Sequence, residues 1–351
     1  MTNGIKISEL GEFGFISRIA SAVNQGGGVI TGIGDDAAVT AFTPGMQLLT
    51  STDMLLEDVH FRRSWHDPCR LGRKSLAVSI SDIAAMGAIP RWALLSLAVP
   101  AALPLDFLDE FTRGFLEMSA EHGVTLIGGD TCSSRTGLVI SVTIMGEQFP
   151  DRILRRSGAQ PGDDIWVTGT LGDAALGLKI LDLGPDSAQP SDSTMSASCP
   201  LSGIEGNDYL VSRLLDPTPR VSAGLALAES GLVSSMIDIS DGVMADFGHS
   251  AELSGVGGCI RLEDLPLSAA FRLFADKLPE FPYHLTLAGG EDYELCFTAP
   301  SENREKIRDC VKNCGVEVTP VGIVSSLPTV AVVRNDGTPY CLQTKGFNHF
   351  T

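Results

Sequence analysis

Short apolar segments alternate along this chain with stretches of helical periodicity, and glycine, serine or threonine beside aspartate follows the apolar segments again and again. The groups are Gly32-Ile-Gly-Asp-Asp36, Ser51-Thr-Asp53, Ser81-Asp82, Gly128-Gly-Asp130, Asp238-Ile-Ser-Asp241 and Gly289-Gly-Glu-Asp292. Strands and helices in both halves restrict the chain to α/β and α+β architectures. In such folds ligand sites gather at strand ends and the loops beside them. Leu76, Ile80, Ile83, Ala84 and Gly87 predict an amphipathic helix within 72–87, and Leu105, Leu108, Phe111, Phe115, Met118 and His122 predict a second. Strands are expected at 46–50, 124–127, 138–145, 165–168, 236–239, 294–298, 318–324 and 330–333. Further helices are expected from Gly172, through Asp246 and Glu252, and over 302–313.

The polar, basic connection 151–162, with Arg152, Arg155, Arg156 and Pro161, marks the domain boundary, giving domains 1–151 and 152–351. A Ser-, Pro- and Gly-rich stretch, 183–207, reads as a flexible surface insertion. The chain has 351 residues, room for two domains, with 44% hydrophobic and 19% charged residues, as expected of a folded soluble protein. Its 43 acidic against 25 basic side chains give a net charge of −18, which argues against a nucleic-acid partner. Nor is a membrane partner expected: the longest apolar run, 92–105, is broken by Pro100 and Pro104. The first twenty residues include Glu9 and Glu12 and lack a signal-peptide pattern. Eight scattered cysteines without a C-x-x-C pair read as reduced thiols, so a cytoplasmic location is expected.

Aspartates beside hydroxyls and glycine carbonyls form a hard-oxygen donor set of the kind Mg²⁺ prefers, together with substrate phosphates. Several Mg²⁺ ions would let an acidic cleft hold a polyphosphate. An aspartate after a strand is also the ordinary helix N-cap or turn residue, and taken alone Asp82 and Asp241 read more simply as structural. Sequence supplies no distances, so both readings stand at this point. Gly32-Ile-Gly34 followed by Ala37 fits the dinucleotide pattern, but two aspartates occupy the turn where a pyrophosphate would sit. Gly72-Arg-Lys-Ser75 is not a P-loop, because Arg73 separates glycine from lysine. Neither H-E-x-x-H nor G-x-S-x-G occurs. Cys310 and Cys314, four apart on a predicted helix, lack nearby histidines and read as packing residues.

In order, the segments GIGDDAAV (32–39), STDMLLEDVHF (51–61), KSLAVSISDIAAMGAIP (74–90), LIGGDT (126–131), RSGAQPGDDIWVTGTLGDAALGL (156–178), PTPR (217–220), IDISDGVMADFGH (237–249), AGGEDYELCFT (288–298) and KGFNHF (345–350) resemble the thiamine-monophosphate kinase family. That family lies within a superfamily with aminoimidazole ribonucleotide synthetase, selenophosphate synthetase and a hydrogenase-maturation protein. The resemblance implies a two-domain synthetase-like fold, with an N-terminal α/β dimerisation domain, a C-terminal α+β domain and a homodimer. It implies Mg²⁺-dependent, direct in-line transfer of the ATP γ-phosphate to thiamine monophosphate, the final step in making thiamine diphosphate. No catalytic base is expected, because the acceptor is already an anion and needs its repulsion screened.

Carried over, Asp36, Ser51, Thr52, Asp53, Asp82, Asp130, Asp238 and Asp241 would hold magnesium. Gly129, Asp130, Arg156 and Ser240 would contact ATP; His60 and Glu291 would face thiamine monophosphate, Glu291 as an anion beside the cationic ring. Where the family commonly has an aromatic before KGFxHF, this chain has Thr344. Either Phe347 or another aromatic takes over the stacking, or stacking is weaker. The rival superfamily members fit less well: the first 60 residues hold no Cys and only Lys6, and the chain ends Asn348-His-Phe-Thr351 without a terminal cysteine. A silent thiamine-phosphate or ATP sensor would be marked by lost metal ligands, and every expected carboxylate is present.

Overall fold

The computed structural model describes residues 6–24, 26–182, 206–276, 282–342, 344 and 346. The chain divides into two compact units: Met1–Ala84 with Ala88–Ile153, and Ala85–Gly87 with Leu154–Thr351. The first unit opens with helices α1 (Ile7–Leu10) and α2 (Glu12–Ala22) and the short antiparallel pair β1 (Val29–Thr31) and β2 (Val39–Thr40). Its main sheet is built from β3 (Gln47–Leu56), β4 (Ile89–Pro100), β5 (Thr125–Ser134) and β6 (Val139–Gln148), in the order β3-β6-β4-β5. Helix α3 (Pro68–Ala85) precedes β4, and α4 (Leu105–His122) crosses over between β4 and β5. Those two strands are the parallel pair, as such a crossover requires. Leu95, Leu97, Ile140, Val142 and Ile144 fill one face of the sheet, and Leu76, Ile80, Ile83, Leu108, Phe111 and Phe115 of the helices are buried with them. The α4 stripe ends where Gly123 takes the left-handed conformation and its N–H caps the Ala120 carbonyl.

The second unit is a six-stranded sheet from β7 (Asp163–Thr168), β8 (Ser235–Ile239), β9 (Gly257–Arg261), β10 (Glu294–Pro300), β11 (Val318–Ser325) and β12 (Val330–Val333). Their order is β12-β9-β11-β7-β10-β8, antiparallel except where β12 meets β9. Among the described residues seven helices accompany it: α5 (Asp173–Asp182), α6 (Asn207–Leu215), α7 (Val221–Ser230), α8 (Val243–Ser254), α9 (Ala269–Ala275), α10 (Tyr283–Ala288) and α11 (Arg304–Val311). Side chains alternate between two cores. Ile165, Val167, Ile237, Ile239 and Phe247 build one; Trp166, Met236, Leu295, Phe297, Leu227 and Ile307 build the other. Burial on both faces is why these strands read as continuous apolar runs.

The sequence expectations need correction where strands carry aspartate. Ser51-Thr-Asp53 and Gly128-Gly-Asp130 lie inside β3 and β5 rather than after them, Ser81-Asp82 lies within α3, and 289–292 follow the helix α10. Polar residues continue a strand when alternation gives each a partner or an open face, so apolarity alone ends the reading too early. Most of the 183–207 insertion, together with Phe347, lies outside the described residues.

Candidate functional site

In the first unit, alternation along β3 places Ser51, Asp53 and Leu55 on the face turned toward α3, where Ser79 and Asp82 share one helix face three residues apart. The Ser79 hydroxyl donates to Asp53 Oδ2 at 2.7 Å, and the Ser51 hydroxyl donates to Asp82. Burial pushes the Asp53 carboxyl up to about 6; the Asp82 charge adds to this and the Ser79 hydrogen bond opposes it. Two carboxylates and two hydroxyls thus meet in a half-buried oxygen-lined niche.

Other predicted residues of this unit fall elsewhere. Thr52 points to the opposite face, its hydroxyl 3.2 Å from the Val142 carbonyl and 3.1 Å from Thr143 Oγ1. Gly129 shares the register row of Asp53 through Val142 and Leu95, whereas Asp130 belongs to the row Met54–Ser141–Ser96 on the open face. A Cβ at Gly129 would lie 1.8 Å from the Leu95 carbonyl oxygen, so strand pairing itself demands glycine there. Asp36 is exposed, with its N–H on Asp35 Oδ1 at 2.9 Å. His60 is half-buried and its Nδ1 accepts the Leu56 N–H at 3.1 Å.

In the second unit, three segments converge. The N–H groups of Ser240, Asp241 and Gly242 all donate to one oxygen, Oδ2 of buried Asp246, at 3.1, 3.0 and 3.1 Å. Burial pushes Asp246 up to about 7, the N–H donors oppose this and the Asp241 charge adds to it. The Glu291 N–H donates to the Ser240 carbonyl and the Tyr293 N–H to the Ile239 carbonyl, both at 2.8 Å. A Cβ at Gly290 would sit 2.5 Å from the Ser240 carbonyl, and one at Gly346 would sit 2.9 Å from the Asp241 carbonyl. The loops 239–242 and 289–293 and the chain at 346 are therefore in direct contact.

Glu291 (φ 73°) and Tyr293 (φ 50°) hold the left-handed conformation without being glycine, a strain of about 1 kcal/mol or more each. The carboxylate of Asp292 between them accepts the Gly172 N–H with both oxygens, each at 3.0 Å. Asp238 is buried in β8 opposite Leu295, while Arg156 and Thr344 are exposed. Among the described residues, no group of three or more His, Cys, Asp or Glu is gathered closely enough to hold one ion. Sequence reasoning missed Ser79 and Asp246, and it singled out Asp292 without giving it a role. Ser79, three residues before Asp82, carried the one available signal, a helical spacing that puts both on one face.

Residues 34–148 match the family described as AIR synthase related protein, N-terminal domain, and residues 160–334 match its C-terminal domain. Two mixed helix-and-strand units with acidic and hydroxyl-bearing loops thus define a two-domain protein of the AIR synthase related class. A thiamine-monophosphate kinase of Escherichia coli O157:H7 is 39% identical over 342 residues, covering 97% of this chain and 98% of the relative. That of Bacillus subtilis is 34% identical over 340 residues, covering 97% and 99%. Among solved structures, the thiamine-monophosphate kinase of Stenotrophomonas maltophilia K279a superposes with TM-score 0.78 at 37% identity, covering 93% of this chain and 96% of that one. AaThiL complexed with AMPPCP and TMP gives 0.73 at 32% identity, with 99% of each chain covered. The chain belongs to the thiamine-monophosphate kinase family, and it is a kinase.

Proposed function

We propose that this chain transfers the γ-phosphate of ATP to thiamine monophosphate, directly and in line, with Mg²⁺ bound, and so completes the synthesis of thiamine diphosphate. One observation carries the reading: AaThiL, a relative matched over 99% of both chains, is complexed with AMPPCP and TMP. The chain's own residues are consistent with it. Ser51, Asp53, Ser79 and Asp82 are hard-oxygen donors, and the raised Asp53 carboxyl reflects burial beside a second carboxylate, a niche that a divalent cation suits. Asp53, Asp82 and Ser51 would hold one Mg²⁺; Asp36, Asp238 and Asp241 would bind others, as would Thr52 and Asp130, which lie on the opposite sheet face from Asp53. When bound, Mg²⁺ supplies neutralisation of the charge that otherwise keeps two phosphates apart.

The remaining tasks fall to the protein. Asp246 fixes the Ser240–Gly242 backbone, Ser240 and Arg156 orient ATP, and Glu291 and His60 orient the acceptor. No residue has to remove a proton, because a phosphate oxygen is the nucleophile. The open face of the first sheet carries Leu48, Met54, Val139, Met145, Leu94 and Ala98 between hydroxyl-bearing positions, with Asp130 on β5; its apolar members suit a second copy of the chain, which supports a homodimer. A cytoplasmic location fits the seven described cysteines, all free thiols. The test is incubation with ATP, Mg²⁺ and thiamine monophosphate, for wild type and Asp53→Asn. Thiamine diphosphate should form with the first and fall at least about a hundredfold with the second, with the fold retained. Tight binding of both substrates without turnover would instead mark a sensor, and near-normal turnover of Asp53→Asn at limiting Mg²⁺ would refute the metal assignment.

A further inference from the structure

Behind the 291–293 loop lies a buried ionic cluster that neither substrate is expected to touch. Glu294 is fully buried and both its oxygens are bound by Arg220, through Nε at 2.7 Å and through Nη2. Its Oε2 also accepts the Thr168 hydroxyl at 2.7 Å. The carboxylate is therefore already neutralised, yet a second guanidinium, that of Arg213, is buried beside it and reaches Oε1 at 2.9 Å. That guanidinium also lies in the field of the buried carboxylates Asp292 and Asp173, so its charge is balanced and does not by itself set it apart. What distinguishes Arg213 is its other contact: Nη2 donates to the main-chain carbonyl of Asp292 at 3.0 Å.

That carbonyl lies in the peptide between the two left-handed residues, following Glu291 and preceding Tyr293. The loop is thus restrained from three sides: by the end of β8 through the N–H groups of 291 and 293, by Gly172 through the Asp292 carboxylate, and by Arg213. We propose that Arg213 is a positioning residue for acceptor recognition, holding the strained 291–293 backbone so that the Glu291 carboxylate faces the cationic ring of the acceptor. This rests on the reading above that Glu291 contacts thiamine monophosphate.

Steady-state kinetics on the full chain test it with Arg213→Lys, Glu291→Gln and the double variant. Arg213→Lys keeps the charge, but both contacts are made by Nη2, at the far end of a side chain longer than that of lysine, so the shorter ammonium withdraws from them. The substitution should raise the KM for thiamine monophosphate about tenfold while leaving kcat and the KM for ATP within about twofold. The double variant should have the same acceptor KM as Glu291→Gln alone, since both changes disable one contact. Asp164→Asn, which removes the Arg304 ion pair elsewhere in the same unit, should lower Tm without moving the acceptor KM. Multiplying effects in the double variant, or equal rises in both KM values, would overturn the proposal even where Glu291→Gln behaves as expected. An unchanged acceptor KM in Glu291→Gln would remove the reading of Glu291 and the proposal with it. If Arg213→Lys does not fold, Arg213→Gln, which keeps an N–H donor and drops the charge, carries the same comparison.

Discussion

His66 illustrates how one buried side chain ties stability to pH without any part in the chemistry. It is 3% exposed, packed edge to face on Phe61 with ring centroids 6.2 Å apart, and its Nε2 is buried without a hydrogen-bond partner. Burial pushes its pKa down to about 3, the Lys74 charge adds to this, and the Arg62 carbonyl near Nδ1 opposes it. The folded protein therefore keeps the ring neutral where the unfolded chain, with its ordinary value of 6.5, takes up a proton. The sign follows: this contribution is fully present above pH 6.5 and is lost as pH falls from there toward 3. At pH 5 the loss is about 2 kcal/mol. His66→Phe, which leaves an apolar ring in the same place, should flatten the fall in Tm between pH 7 and pH 5. Parallel Tm profiles for the two proteins would show that His66 does not carry the dependence.

At the scale of elements, the crossing of α3 and α4 depends on two glycines that a hydrophobic pattern does not reveal. A Cβ at Gly72 would lie 1.9 Å from the Phe111 carbonyl oxygen, and one at Gly114 would lie 1.9 Å from the Cys69 carbonyl oxygen. Gly114→Ala gains about 1 kcal/mol of helix propensity, but it drives a methyl group into backbone that cannot swing aside, so a net loss of about 2 kcal/mol is expected. Gly248→Ala in α8, where a Cβ meets nothing within 4 Å, should instead raise stability by about 0.5–1 kcal/mol. Urea midpoints for the two variants check the opposite signs; two shifts of the same sign would rule out the crossing as the cause.

The same elements show what was legible in the sequence. Helix α4 could be read from Leu105 to His122 because its apolar stripe, first-turn Asp106 and terminal Gly123 agree at every level. Strand β3 could not be followed past Thr50, since Ser51 and Asp53 turn toward Ser79 and Asp82, partners distant in the chain. Single residues of the sites, Asp36 to Asp241, were visible as motifs. Their supports were not: Asp246 and Arg213 act on backbone atoms of other segments, and no spacing announces such contacts.

For the molecule as a whole, charge and shape pull against each other. A chain with net charge −18 repels its own copies as well as ATP and thiamine monophosphate, so association needs an apolar surface large enough to offset that repulsion. The open face of the first sheet has the required character: Leu48 and Met54 are 44% and 56% exposed on its edge strand β3. In the next row Val139 and Met145 lie on the same side, and Thr50 and Thr52 are the intervening polar positions. An ordinary solvated sheet face alternates toward charge; on β3 this face carries none, and on β6 its one charged position, Glu147 opposite Leu48, is buried and held by Thr43 and Arg91. If the chain pairs through this face as proposed, wild type should give twice the single-chain mass by light scattering, and Leu48→Lys combined with Met54→Lys should leave each chain folded and give the single-chain mass. Because the opposition to pairing is electrostatic and the attraction is not, raising salt from about 0.05 M to about 0.5 M should tighten the wild-type dimer. A dimer that weakens with salt would have to be held by ion pairs, and this sheet face would not be its interface.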